Sequence, residues 1–255
     1  MDADLARRFG GVGRLYGDAA HAAFRNASVA VVGIGGVGSW AAEALARSAV
    51  GRITLIDLDN VAESNTNRQV HALGDAYGQA KVTAMASRIR EINPACEITE
   101  IEEFVTPENT SDLLGRGFDV VIDAIDQVRA KVAMIAWCRR QKLPIVVAGG
   151  AGGKIDPSRI RLEDLSRTEQ DPLLARVRSQ LRKEHGFTRD PKKKFGVPVI
   201  YSAEPVRQPA SGAACETGGI HGGLNCAGFG SSVCITATFG LFAASAALGL
   251  IQEKA

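Results

Sequence analysis

Along the first 150 residues, short apolar runs bounded by turn residues alternate with stretches whose apolar positions recur every three to four residues. The runs at 28–32, 53–57, 118–123 and 144–147 have the texture of strands covered on both faces, and 96–101 alternates apolar with polar residues. Between them, 37–48, 80–92 and 128–140 carry the helical period, and a shorter helical stretch begins at 107. Strands and helices taking turns predict crossover connections. The expected fold is therefore α/β: a Rossmann-like, doubly wound, mostly parallel sheet with helices on both faces. Beyond residue 150 the texture changes to a polar segment at 155–165, a charged helix at 171–185, a basic loop, a strand near 197–201, a glycine-rich loop and an apolar helix. No repeat and no Pro- or Ser-rich linker interrupts the chain. Residues 1–255 are thus expected to form one domain: a helical arm at 1–27, a core at 28–150, and an extension at 151–255 packed on it.

The apolar tail raises the question of a membrane. Residues 217–252 hold no Asp, Glu, Lys or Arg, and 231–251 is long enough to span a bilayer. It is mostly Ala, Gly, Ser and Thr and lacks basic flanks, so transfer into lipid would gain little. A buried helix of a cytoplasmic protein is expected, with membrane association as the minor alternative. The five cysteines are odd in number and contain no C-x-x-C pair, which argues against a disulfide framework and against a structural zinc. The N-terminal run MDADLARRFGG has no apolar signal core, so export is not expected. The net charge of +2 identifies no partner, but charge is concentrated locally. Between Arg176 and Lys194 stand Arg176, Arg178, Arg182, Lys183, Arg189, Lys192, Lys193 and Lys194 against only Glu184 and Asp190. Such a helix and loop suit the phosphate backbone of a nucleic acid, with a solvated face as the alternative.

Candidate chemistry begins at GIGGVG. Gly33, Gly35 and Gly38, with Gly36 between them, satisfy G-x-G-x-x-G directly between a strand and a helix, where backbone amides approach phosphate. Asp57 ends the next strand, placed for ribose hydroxyls. These residues alone would suit NAD. The following DLDNVAESNTNRQ adds Asp59, Asn65, Arg68 and Gln69 at the same sheet edge, and Lys81 opens the next helix. Converging Arg and Lys make a triphosphate clamp that hydride transfer does not need, so ATP is the better reading. Asp126, in the DAID after the strand at 118–123, is placed to hold Mg²⁺ against the phosphates. The four histidines have no ligand spacing.

The motifs GIGGVG, LIDLDNV, SNTNRQ, KV and DAID resemble the ThiF/MoeB/HesA family, bacterial relatives of ubiquitin-activating enzymes that adenylate carboxylates. The resemblance implies ribose binding by Asp57, phosphate contacts by Asn65, Arg68 and Lys81, Mg²⁺ handling by Asp126, and a homodimer in which Arg14 reaches the partner's site. Members serving sulfur carriers commonly have paired C-x-x-C motifs, absent here. Instead RFGGVGRLYG, NTNRQVHALGD, GGAGGKIDP, QDPLLARVR and GFGSSVCITATFG are similar to family members that act on tRNA. That likeness implies ATP-dependent dehydration of N6-threonylcarbamoyladenosine beside the tRNA anticodon, with a cysteine desulfurase system as a further partner; from their concentration of charge, Arg182, Lys183, Lys192, Lys193 and Lys194 are then the candidate tRNA contacts. Ring closure within the substrate requires no enzyme thiol. Cys234, in an apolar run, is expected in the core, whereas Cys226 in NCAGFG reads as filler or as an active-site residue. The alternatives are adenylation of a sulfur-carrier C-terminus and a nucleotide-binding sulfur-relay adaptor.

Overall fold

A computed structural model of the chain describes residues 4–207 and 229–255. Helices α1 (Leu5–Tyr16) and α2 (Asp18–Asn26) form the arm, followed by β1 (Ser28–Val32), α3 (Gly38–Arg47), β2 (Arg52–Ile56), α4 (Lys81–Ile92), β3 (Glu97–Ile101) and α5 (Thr110–Leu114). Then come β4 (Val120–Asp123), α6 (Val128–Gln141), β5 (Ile145–Ala148), β6 (Ile160–Asp164), α7 (Pro172–Glu184), β7 (Pro198–Ser202) and α8 (Val233–Gln252). One seven-stranded sheet runs in the order β3-β2-β1-β4-β5-β7-β6. All neighbours are parallel except the edge pair β6–β7. The α/β expectation is met, and the sheet continues through residue 150, because β7 and β6 extend it. Strand β6 lies within the segment read only as polar. Its IRLED pattern belongs to an edge strand, where charged side chains discourage further pairing.

Each strand is covered on both faces. Val29 and Val31 of β1 enter a core with α2, α3, α4 and α8, while Ala30 and Val32 enter a second core with α6 and α7. The switch point lies between β1 and β4, from which the chain winds outward in opposite directions. That arrangement opens a crevice at the carboxyl ends of the strands. Glu43 of α3 is buried and receives Arg47 at 2.7 Å and Arg88 of α4, which ties the two helices together. Burial alone would raise the Glu43 carboxyl, but the two guanidinium partners hold it below its usual value.

Helix α8 is long and apolar enough, by length and composition, to cross a membrane, with a mean hydropathy of 1.9, and half of it is buried against the protein. Ile235, Phe239, Ala243 and Ala247 face the core, whereas Leu241 and Phe242 remain exposed. Cys234 is also exposed, which corrects its expected place in the core. It stands in the first turn of α8, on the outward side next to exposed Val233.

Candidate functional site

The glycine turn after β1 takes its shape from contacts that no side chain could share. A Cβ on Gly38 would stand 1.8 Å from the Gly33 carbonyl oxygen, and Gly33 has φ +86 with Ile125 only 2.9 Å from its Cβ position. The turn therefore packs directly on the loop after β4. Above it lies a cleft of about 350 Å³ lined by Gly33, Gly35, Gly36, Asp57, Asp59, Asn65, Arg68, Gln69, Lys81 and Asp126. Every nucleotide-site residue expected from the sequence reaches this cleft except Gly38, which supports it from behind, and Arg14.

Polar contacts fix the shape of the cleft. Asp57 is buried and accepts from the Ile34 amide at 2.6 Å and the Asp59 amide at 2.9 Å. Burial raises its carboxyl above the ordinary value, with the nearby Lys81 charge opposing. The Lys81 ammonium, buried at the start of α4, donates to Asp59 at 2.8 Å. Phosphate would meet these two as a hydrogen-bonded pair rather than as a lone cation. Asn65 accepts from the Ala62 amide, ordering the turn that carries Arg68. The Arg68 guanidinium donates to Ser64 O at 2.8 Å and to Asn67 Oδ1 at 2.9 Å, while its buried Nε has no partner among the described residues. Burial draws Arg68 below its ordinary pKa. Its backbone carbonyl accepts from Trp40 Nε1 of α3 and Thr236 Oγ1 of α8, so the last helix reaches the site across the chain.

Beneath the loop carrying Asp126 lies a fully buried ion pair. Lys131 Nζ stands 2.8 Å from Asp123 Oδ1 and 3.0 Å from Ala148 O, joining the ends of β4 and β5. Asp123 also accepts from the Ile125 amide. The glycine strap after β5 is anchored as well: Gly149 N donates to Ile200 O, Gly150 N to Asp171, and the buried Lys154 ammonium to the Gln170, Ser202 and Glu204 carbonyls. This strap, Gly149 to Gly152, lines the cleft, as do Phe104, Gln127 and Thr236. None of these was among the expected site residues. The strap and Thr236 fall within GGAGGKIDP and GFGSSVCITATFG, motifs that carry the resemblance, and a second glycine run directly after a strand was a further signal for the strap.

The remaining expected residues lie elsewhere. Arg14 is exposed on α1 and does not line the cleft of its own chain. Helix α7 starts beside the strap, where Asp171 caps it, and descends along the sheet. The following loop enters the amino end of β7, with the Phe195, Gly196 and Val197 amides donating to Asp164. Arg182, Lys183 and Lys192 to Lys194 consequently stand toward the opposite edge of the sheet from the cleft. Arg182 lies 5.4 Å over the Phe195 ring and donates to Thr188 O, while Lys192, Lys193 and Lys194 are exposed. Cys226 lies outside the described residues. Among the described residues no group of three or more His, Cys, Asp or Glu could hold a metal alone.

A family model described as ThiF family matches residues 11–254. The chain is 51% identical over 254 residues to the tRNA threonylcarbamoyladenosine dehydratase of Escherichia coli, covering 98% of this chain and 95% of that one. It is 48% identical to the protein of the same name from Haemophilus influenzae, covering 97% and 94%. A crystal structure of E. coli tRNA N6-threonylcarbamoyladenosine dehydratase, TcdA, in complex with ATP superposes with a TM-score of 0.89 at 48% identity, covering 100% of this chain and 98% of that one.

Proposed function

The chain belongs to the ThiF family, and on that premise we propose that it is an ATP-dependent enzyme that dehydrates N6-threonylcarbamoyladenosine in tRNA to its cyclic form. The observation that carries this reading is the cleft itself. Its glycine turn, Asp57, Arg68, Lys81 and Asp126 converge at one sheet edge, in a chain similar over nearly its whole length to two dehydratases of that name and to one solved with ATP.

In the proposed reaction the threonyl carboxylate oxygen attacks the α-phosphorus of ATP, the bond to the β-phosphate oxygen breaks, and pyrophosphate leaves. A nucleophile of the modified base then attacks the acyl carbon of the adenylate, loses its proton, and expels AMP as the ring closes. The sum is loss of one water from the nucleoside and conversion of ATP to AMP and pyrophosphate. Asp57 and the glycine turn orient the nucleoside half of ATP, and Arg68 with the Lys81–Asp59 pair lies where charge builds on the phosphates. Asp126, half-buried and facing the cleft, is a single carboxylate. That suits Mg²⁺, which is held chiefly by phosphate oxygens and water and would neutralise part of the phosphate charge.

Arg14, outside its own cleft, fits a role in the neighbouring subunit of a homodimer, and the protein would work in the cytoplasm with a cysteine desulfurase system as a further partner. The test is incubation of the purified protein with ATP and tRNA carrying the modified nucleoside, followed by nucleoside mass spectrometry and AMP quantification. Loss of the mass of one water with matching AMP supports the reading. ATP binding without AMP release would point to an adaptor, and AMP formation only with a sulfur-carrier protein would point to the other adenylating activity.

A further inference from the structure

The cleft and the basic edge lie at opposite ends of the sheet, yet one substrate is read as using both. Between them a groove of about 700 Å³ runs along α6, walled by α5 and α7. Its floor is α6, which contributes Arg129, Ala133, Trp137 and Arg140. Those residues are spaced as i, i+4, i+8 and i+11, so they form one stripe along the helix. Arg129 lies two residues beyond Gln127, a cleft residue. Arg140 is eleven residues further, about 16 Å down the axis, where His185 completes the groove.

At that lower end the tertiary structure enlarges the basic patch. The Arg139 guanidinium rests against Gly196, 3.1 Å from where a Cβ would stand. The RRQK run at the end of α6 thus meets the loop bearing Lys192, Lys193 and Lys194. Glu184 is the acid lining the groove, and Glu108 acts on Arg129 from beside it. None of the arginines and lysines named here forms an ion pair among the described residues. Trp137 is half-buried, beside Gly115, and its indole N–H has no partner among the described residues.

We propose that this groove is the docking track of the RNA, with the anticodon stem-loop lying along α6, its modified base in the cleft, and its stem phosphates over the basic edge. This rests on the tRNA reading above and gives it a path. Arginines at both ends, neither held in an ion pair among the described residues, with an aromatic side chain between them match a phosphate backbone with an unstacked base, the combination by which single-stranded loops are recognised. A protein helix would instead call for an apolar stripe, which Arg129 and Arg140 interrupt.

The test uses the full-length protein, an anticodon stem-loop RNA bearing N6-threonylcarbamoyladenosine, and ATP. Trp137→Ala should raise the KM for RNA about tenfold, with Trp137→Phe restoring most of the loss. Arg129→Gln together with Arg140→Gln should raise KM and lower the log–log salt slope by about 1.4–1.8, for two contacts at roughly 0.7–0.9 each. ATP affinity and thermal unfolding should not change, since both arginines are exposed. Unchanged KM and slope in all variants, while the wild type still dehydrates the RNA, would overturn the track and leave the function standing. An altered sedimentation coefficient with unchanged KM would assign the groove to a second copy of the chain. Failure of the wild type to act on any RNA would sink the function, and the track with it.

Discussion

The two edges of the sheet handle charge in opposite ways. At the carboxyl edge four charged groups are buried and held by fixed partners: Asp57 by two amides, Lys81 by Asp59, Lys131 by Asp123, and Lys154 by three carbonyls. At the amino edge Lys192, Lys193 and Lys194 are exposed and form no ion pair among the described residues. A buried charge costs desolvation that only fixed partners offset, so it holds a loop in one position. An exposed charge costs almost nothing, acts over about a Debye length and yields to salt. One edge is thus suited to shaping a reaction and the other to attracting a polyanion.

The largest effect is expected where the buried pairing is broken. Lys131→Met strips the fully buried Asp123 carboxyl of its counter-ion, leaving only the Ile125 amide on it, and should cost about 3–5 kcal/mol of stability. Adding Asp123→Leu should return much of it in urea unfolding. Equal stability of wild type and Lys131→Met would mean that the pair does not hold the edge. Next come the cleft residues themselves. Arg68→Ala and Asp126→Ala should each slow AMP formation about 10²–10³-fold, the scale of removing one preorganised stabiliser of transition-state charge. Near-normal rates in a discontinuous AMP assay would move the chemistry elsewhere.

His71 gives a smaller effect that depends on pH. It is buried, neither ring nitrogen has a partner among the described residues, and burial, with Lys81 and Arg88 nearby, lowers its pKa to about 4 from 6.5. The unfolded chain therefore takes up the proton first, and stability rises with pH across that window. The contribution is complete above about pH 6.5 and is lost as pH falls toward about 4, up to about 3 kcal/mol. His71→Leu should flatten this dependence, and parallel wild-type and variant urea midpoints from pH 7 to 4.5 would remove the role. Changes at the amino edge should disturb folding least. Replacing Lys192, Lys193 and Lys194 with Ala should alter stability by less than about 0.5 kcal/mol while lowering the salt slope of tRNA binding by up to about 2.7, at roughly 0.9 per duplex contact. An unchanged slope would return the loop to a solvated face.

The sequence by itself determined whatever rests on neighbouring residues. Hydrophobic period separated the strands from the helices, and the glycines at 33 and 38 could be read because a tight strand-to-helix turn leaves no room for a side chain. Asp57, Arg68, Lys81 and Asp126 could be assigned to one edge because parallel strands bring their carboxyl ends together. Only the tertiary structure decided what depends on distant pairing. Local period cannot tell a charged edge strand from a loop, so β6 read as a polar segment until it paired with β7. Its antiparallel course and the descent of α7 then carried the lysine run to the far edge, beside Arg139. Thr236 reaches Arg68 from 168 residues away, and Cys234 left the core because the first turn of α8 presents it outward. These outcomes depend on which surfaces meet when the chain closes, and no window of adjacent residues contains that information.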